Sequence, residues 1–389
     1  MAILFKGKCV FTIDPYPGHL HVACRKRCQI YLQGSPVTSS LDYVPTSKHS
    51  KMNIAWILGG TRKTASSRLQ GYLIHNEFLR MGVRSNLIAD NFINCKSSLS
   101  SQFLTAAIKI FRGQYTHVIF EGPEWISTQL AILVRSKGIV CICVRCDRYP
   151  FEYDRYFDLT ILPTETLRDE LVIQRAKVIP DMVEVPIDKY KKSYIQIAAD
   201  RVTVGWLGHQ NYGPFIFDFI EKLQLNATIR SNFVFDTISA GPGFTRQWSE
   251  ESVMDDLLAC DLVMIPIPEG DWYKSKSANR LTMMFALGMP CVATSIHSYR
   301  SIGIQDENVI FAGSLDKFTE SLIKLIDPHL RERLGKNARQ SLAREFSQAE
   351  VAKQWLTAIH ESERQNSEAA NLRVRSLVLL LTVASSFVR

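Results

Sequence analysis

A short apolar run that ends in glycine and then opens a helix occurs twice in this chain. The first is Asn53-Ile-Ala-Trp-Ile-Leu58 followed by Gly59-Gly60, and the second is Val202-Thr-Val-Gly-Trp-Leu207 followed by Gly208. A strand with apolar residues at nearly every position has no polar face to offer to water. It belongs in a parallel sheet covered by helices on both faces. Glycine at its carboxyl end lets the chain turn sharply into a crossover helix. Two such openings in 389 residues predict two cores, not one enlarged core.

The pattern after each opening supports that reading. In the first half Ser66 or Ser67 starts a helix carrying Leu69, Leu73, Ile74, Phe78 and Met81, which Gly82 closes. Strands are expected at 85–89, 116–120, 139–144 and 159–162, with helices over 127–137 and 165–173. In the second half strands are expected at 202–207, 233–239, 262–267 and 291–294, and helices over 215–223, 250–260 and 277–287. The polar run Lys189-Tyr-Lys-Lys-Ser193 separates the halves. The expected fold class is α/β, with two doubly wound Rossmann-like domains facing across a cleft and ligands at the carboxyl ends of the strands. The expected boundaries are an irregular extension over 1–51, a first domain over 52–186, a linker over 187–200 and a second domain over 201–346. Ser347-Gln-Ala-Glu350 reads as a capping box that opens a last helix over 347–366. The stripe of Val351, Trp355 and Ile359 on that helix is expected to bury at the domain junction. Residues 367–389 are read as a tail.

Composition narrows the class of partner. The excess of 46 Lys+Arg over 38 Asp+Glu gives a net charge of +8. This suits an anionic ligand or an anionic membrane surface, but it is not the basic stripe of a nucleic-acid binder. The nine cysteines are an odd number, and Met1-Ala-Ile-Leu-Phe-Lys6 lacks the layout of a signal peptide. A reduced cytoplasmic setting is the simplest expectation. Cys141, Cys143 and Cys146 cluster, but in an apolar run that reads as a buried strand, and no metal is expected there. The apolar segment Ser376–Val388 is too short to span a bilayer. Flanked by Arg373, Arg375 and Arg389, it is a packed tail or a peripheral membrane contact.

The stretch from Asp271 to Thr294 is the most informative chemically. It places Lys274, Lys276 and Arg280 around an expected helix start capped by Ser275 or Ser277. The stretch is either a solvated basic turn or an anion site; cations at a helix N-terminus oppose the dipole unless an anion sits there, which favours a site suited to a diphosphate. Its pattern Trp…Lys-Ser-x-Asn-Arg-Leu…Ala-x-Gly-x-Pro-x-Val-Ala resembles the donor-site helix of group 1 (family 4-like) nucleotide-sugar glycosyltransferases of the GT-B fold. Gly59-Gly60, Val178-Ile-Pro-Asp-x-Val-Glu-x-Pro186, Val204-Gly-Trp-Leu-Gly208 and Trp248 through Pro266 are similar to further segments of that family, in order over roughly residues 52–362.

The resemblance implies transfer of a sugar from a nucleoside-diphosphate sugar to the hydroxyl of a saccharide or lipid-linked acceptor, as in polysaccharide assembly. It implies retention at the anomeric carbon and no cofactor beyond the substrate. The chain has no Asp-x-Asp, so no metal is expected at the diphosphate. Three family features are absent. Ser275 and Met283 stand where many members carry two glutamates, Cys146 and Asp147 stand where many have a histidine, and the Arg/Lys pair after the first donor-domain strand is missing. Lys276 and Arg280 are then expected to supply the charge. A catalytically silent relative that binds a nucleotide-sugar or a partner protein is the competing reading.

The remaining candidates follow from position. Asp147 and Glu121, each at a strand's carboxyl end, are candidate catalytic groups or ordinary loop carboxylates. Gly208, His209, Gly241, Trp248, Lys276, Ser277, Asn279 and Arg280 are the donor-side set, with Trp248 beside the base or in the core. Gly59, Gly60, Ser67 and Arg68 form the glycine loop and the acceptor side.

Overall fold

The computed structural model describes residues 52–98, 100–122, 124–148, 153–194, 201–342 and 344–363, and the backbone of 2–5, 9–13 and 20–24. The expected tail over 367–389, the end of the linker and the end of the last helix lie outside the described residues.

Met1–Val44 forms a unit of its own. The expectation of an irregular extension is corrected for its described strands. Strands β1 (Ala2–Phe5), β2 (Cys9–Ile13) and β3 (Leu20–Cys24) make an antiparallel sheet in the order β1-β2-β3. Their runs are rich in Ile, Val, Phe and Thr, residues that favour a pleated surface. They are too short to show a sustained period.

The rest of the chain builds two parallel six-stranded sheets. The first contains β4 (Asn53–Ile57), β5 (Arg84–Ala89), β6 (His117–Glu121), β7 (Val140–Val144), β8 (Leu159–Leu162) and β9 (Ala176–Val178), in the order β5-β4-β6-β7-β8-β9. The second contains β10 (Val202–Leu207), β11 (Phe233–Ser239), β12 (Arg246–Gln247), β13 (Leu262–Ile265), β14 (Cys291–Ala293) and β15 (Ile310–Phe311), in the order β12-β11-β10-β13-β14-β15. No strand is shared between them. Strand order reverses beside β4 in one and beside β10 in the other, so the two switch points fall on the two glycine turns of the sequence.

The helix expected from Ser66 or Ser67 runs from Ala65 to Arg80, with a π-type stretch over Arg68–Tyr72. Among the described residues six helices escape the sequence reading: Ser101–Arg112, Ala227–Asn232, Asp271–Lys274, His297–Arg300, Leu315–Lys324 and Pro328–Ser341.

A last helix over 348–363 returns from the second sheet to pack on the first. Ser347 Oγ accepts from the Glu350 N–H, which is half of the capping box. Trp355 is 2% exposed and its ring lies 5.8 Å from that of Trp56 on β4. Lys177 pairs with Glu361 at 2.6 Å, and His117 Nε2 lies 3.0 Å from Glu363.

Candidate functional site

On the first lobe the glycine turn after β4 is held by one carboxylate. Glu121 Oε2 accepts from the Gly59 N–H at 2.9 Å and from the Ser67 hydroxyl at 2.6 Å, and Ser67 Oγ accepts from the Gly60 N–H at 3.0 Å. A Cβ on Gly60 would sit 2.5 Å from Thr64 Oγ1, so only glycine fits the turn. Glu121, Ser67, Gly59 and Gly60 therefore form one braced unit. In it Glu121 is occupied as an acceptor of turn hydrogen bonds.

Arg68 is 6% exposed, and its guanidinium donates to both carboxylate oxygens of Glu184, at 2.7 and 3.3 Å. It also lies 5.1 Å over the Trp248 ring of the second lobe. This places Arg68 and Trp248 together at the lobe junction. Arg62 forms a bidentate pair with Glu250 across the same junction, with contacts of 2.7 to 3.0 Å. The hydrogen bond and charge of Arg62 hold the Glu250 carboxyl below its ordinary value, against the opposing effect of burial.

Asp147 follows β7 in a loop fixed from beneath. Arg145 donates to the Asp147 carbonyl at 3.3 Å and pairs with Asp154 at 2.6 Å, with only 2% of the arginine side chain exposed. The Asp147 carboxylate accepts from Lys276 Nζ of the second lobe. Burial works against the Lys276 charge, and the Asp147 carboxylate more than offsets it, so the ammonium is held above its ordinary value. Lys276 Nζ also lies 5.5 Å from the Trp272 ring centre.

On the second lobe Gly208 follows β10. A Cβ there would meet the Trp206 ring at 2.2 Å, so the turn can lie this close to the indole only with glycine. His209 is exposed, and its Nδ1 accepts from the Asn211 N–H at 3.2 Å, capping the turn Gln210–Tyr212. The Gly241 carbonyl accepts from Gln247 at 3.0 Å.

The expected helix start is corrected. The helix runs Asn279–Leu287 with Ala278 at its N-cap and no side-chain cap. The serines are used elsewhere. The Ser275 carbonyl accepts from Thr164 of the first lobe at 3.0 Å, and the Ser277 hydroxyl bonds Asp181. Lys276 thus precedes the helix and does not share a helical face with Arg280. Arg280, in the first turn, donates to the Leu207 carbonyl at the end of β10 at 3.5 Å. It also lies beside Tyr299, whose phenol burial pushes up and the Arg280 charge pulls back. Ser275 and Met283, at the positions of the absent glutamates, are both buried.

The structure therefore puts Arg280 at the end of β10, next to Gly208, and joins Lys276, four residues earlier, to Asp147 of the first lobe. It groups Glu121, Ser67, Gly59 and Gly60 at the end of β4. The sequence reading missed Arg62, Glu184, Glu250 and Asp181, charged groups that join the lobes or support the contacts between them. Pairing between residues more than a hundred positions apart leaves no local spacing signal. Among the described residues no cluster of three or more His, Cys, Asp or Glu is placed to hold a metal ion. No described helix is long and apolar enough to cross a membrane.

No family model and no curated protein matches the chain. Solved structures do. HepE of Anabaena, solved with UDP, superposes with a TM-score of 0.55 at 11% identity, covering 80% of this chain and 100% of HepE. The catalytic domain of starch synthase IV from Arabidopsis thaliana, bound to ADP and acarbose, gives a TM-score of 0.57 at 9% identity, covering 80% and 99%. TarM gives 0.50 at 13% identity, covering 66% of this chain and 58% of TarM. These neighbours are GT-B glycosyltransferases, and the two-sheet architecture described here is the GT-B fold.

Proposed function

We propose that this chain transfers a sugar, of the hexosyl type, from a nucleoside-diphosphate sugar to an acceptor hydroxyl. The observation that carries the reading is the contact of Arg280 with the end of β10, at the switch point of the second sheet, with Lys276 just before the same helix facing Asp147 of the first lobe. Departure of a nucleoside diphosphate requires stabilisation of the developing negative charge. Two fixed cations and the free N–H groups of the helix from Asn279 supply it without a metal ion. Asp147, facing them from the first lobe, is suited to orient an acceptor hydroxyl once an anion has taken its place beside Lys276. Retention at the anomeric carbon follows from the family resemblance, as does a saccharide or lipid-linked acceptor in polysaccharide or glycoconjugate assembly.

A silent, nucleotide-sugar-binding relative is the second reading. It is favoured by one observation: buried Ser275 and Met283 offer no carboxylate where the family carries its glutamates. Calorimetric titration with UDP, ADP and GDP, followed by a donor-hydrolysis assay with the matching sugar nucleotides, separates the two. Binding with turnover supports transfer, and binding without turnover supports the silent relative. No binding of any nucleoside diphosphate overturns both.

A further inference from the structure

The helices Ser101–Arg112 and Trp125–Arg135 pack side by side on one face of the first sheet. Each follows one parallel strand and precedes the next, so both run in the same direction and form a layer. Phe103, Ala106, Ala107 and Ile110 of the first helix face the core, as do Leu130, Ala131 and Val134 of the second.

The outer surface of this layer is apolar. Leu104, Ile108 and Phe111 are 46%, 50% and 39% exposed, and steps of four and three residues place them in one stripe. On the neighbouring helix Ile132 and Leu133 are 46% and 40% exposed. Large side chains exposed singly are ordinary, but a stripe continued on an adjacent helix marks an interaction surface.

Charge selects the partner. No Asp or Glu occurs from Lys96 to Phe120, nor from Trp125 to Cys146. Lys109, Arg112 and Lys137 are exposed on or beside the two helices. The exposed apolar side chains thus lie on a layer of two helices that carry cations and no carboxylate of their own. An acidic peptide would instead be expected to dock in a groove. We propose that this face docks on the surface of an anionic phospholipid bilayer, with the apolar stripe entering the headgroup boundary and the cations meeting lipid phosphates. The inference does not depend on the catalytic reading.

Co-sedimentation of the full chain with vesicles tests it. Vesicles of phosphatidylcholine with phosphatidylglycerol should retain the protein in a salt-sensitive way, and phosphatidylcholine alone should not. The triple variant Lys109→Gln, Arg112→Gln, Lys137→Gln and the double variant Ile108→Ser, Phe111→Ser should each lower partitioning by about tenfold or more. A control, Leu225→Ser with Ile304→Ser, removes exposed apolar groups of the second lobe and should bind as wild type. All variants should keep the wild-type circular dichroism, since only exposed side chains change. No binding of wild type to anionic vesicles overturns the proposal. So does undiminished binding of both variants, which would place the contact elsewhere in the chain. Self-association of wild type that the double variant abolishes, without vesicle binding, would assign the face to a second copy. Nucleoside-diphosphate affinity, measured separately, is expected to be unchanged in every variant.

Discussion

Lys276 and Asp147 meet across the two lobes as an ion pair with 28% and 26% of their side chains exposed. The cation proposed above to meet a diphosphate is thus already paired with a carboxylate of the opposite lobe. An incoming anion would compete with Asp147 for that charge. Asp147→Asn is therefore expected to strengthen nucleoside-diphosphate binding a few-fold, because a partly exposed pair is worth at most about 1 kcal/mol. Transfer, if Asp147 orients the acceptor, should fall in the same variant. Calorimetry and a turnover assay on one preparation measure both, and unchanged affinity would show that the pair does not compete with the ligand.

Removal of the cations should act in the other direction. A charge-assisted hydrogen bond is worth about 1.5–3 kcal/mol, so Lys276→Ala or Arg280→Ala should weaken nucleoside-diphosphate binding by about one to two decades at ~1.4 kcal/mol each. Neither side chain belongs to a hydrophobic core, so the melting temperature should change little. Unchanged affinity in both variants would remove the donor site from this end of β10.

The alternating plan of both sheets was legible because buried parallel strands are apolar at nearly every position, as in Val140–Val144 and Leu262–Ile265. The helix Ser101–Arg112 was not read, although Ser100 caps it and its core residues recur at three- and four-residue steps. Its exposed Leu104, Ile108 and Phe111 blur the contrast between faces on which periodicity depends. Lys276 and Arg280 were singled out from sequence as candidate donor-side cations. Their surroundings were not, because Ser275 and Ser277 look like helix caps but bond to the first lobe instead. Arg68 was read as an acceptor-side candidate. Its partner Glu184 lies 116 residues away and only the fold brings the two together.

That pair gives a stability prediction. Arg68 and Glu184 have 7% and 11% of their side chains exposed. Arg68→Ala leaves the carboxylate buried without its partner and removes the stack on Trp248, at an expected cost of about 3–5 kcal/mol. The double variant Arg68→Met, Glu184→Leu should recover most of the loss. Urea denaturation of the two variants measures the difference, and a cost below about 1 kcal/mol for Arg68→Ala would mean the pair is solvated.

The return of the last helix to the first sheet rests on Trp355. Its ring fills the space against Trp56, and Trp→Ala in a core costs about 3–5 kcal/mol. Trp355→Ala should lower the denaturation midpoint accordingly, whereas Thr357→Ala, on the exposed side of the same helix, should not. Limited proteolysis should also release the segment beyond 347 faster in Trp355→Ala, since the helix loses its main anchor.

The last prediction concerns Asp181. It is 8% exposed, and its carboxylate accepts from Gln70 at 2.8 Å and bonds Ser277 of the second lobe. Burial pushes its pKa above the ordinary carboxylate value, and the two hydrogen bonds only partly oppose this. Between the unfolded and the folded value the native state therefore binds more protons than the unfolded chain. Stability from this group is fully present below the unfolded value and is lost as pH rises through the folded one. Asp181→Asn keeps the shape and removes the buried charge. The variant should melt above wild type at neutral pH, and the gap should close as pH falls through the carboxylate range. Melting curves from pH 3 to pH 8 measure it. A variant that melts below wild type at neutral pH, with a gap independent of pH, would show that the ionised carboxylate is what holds Ser277 and Gln70 in place.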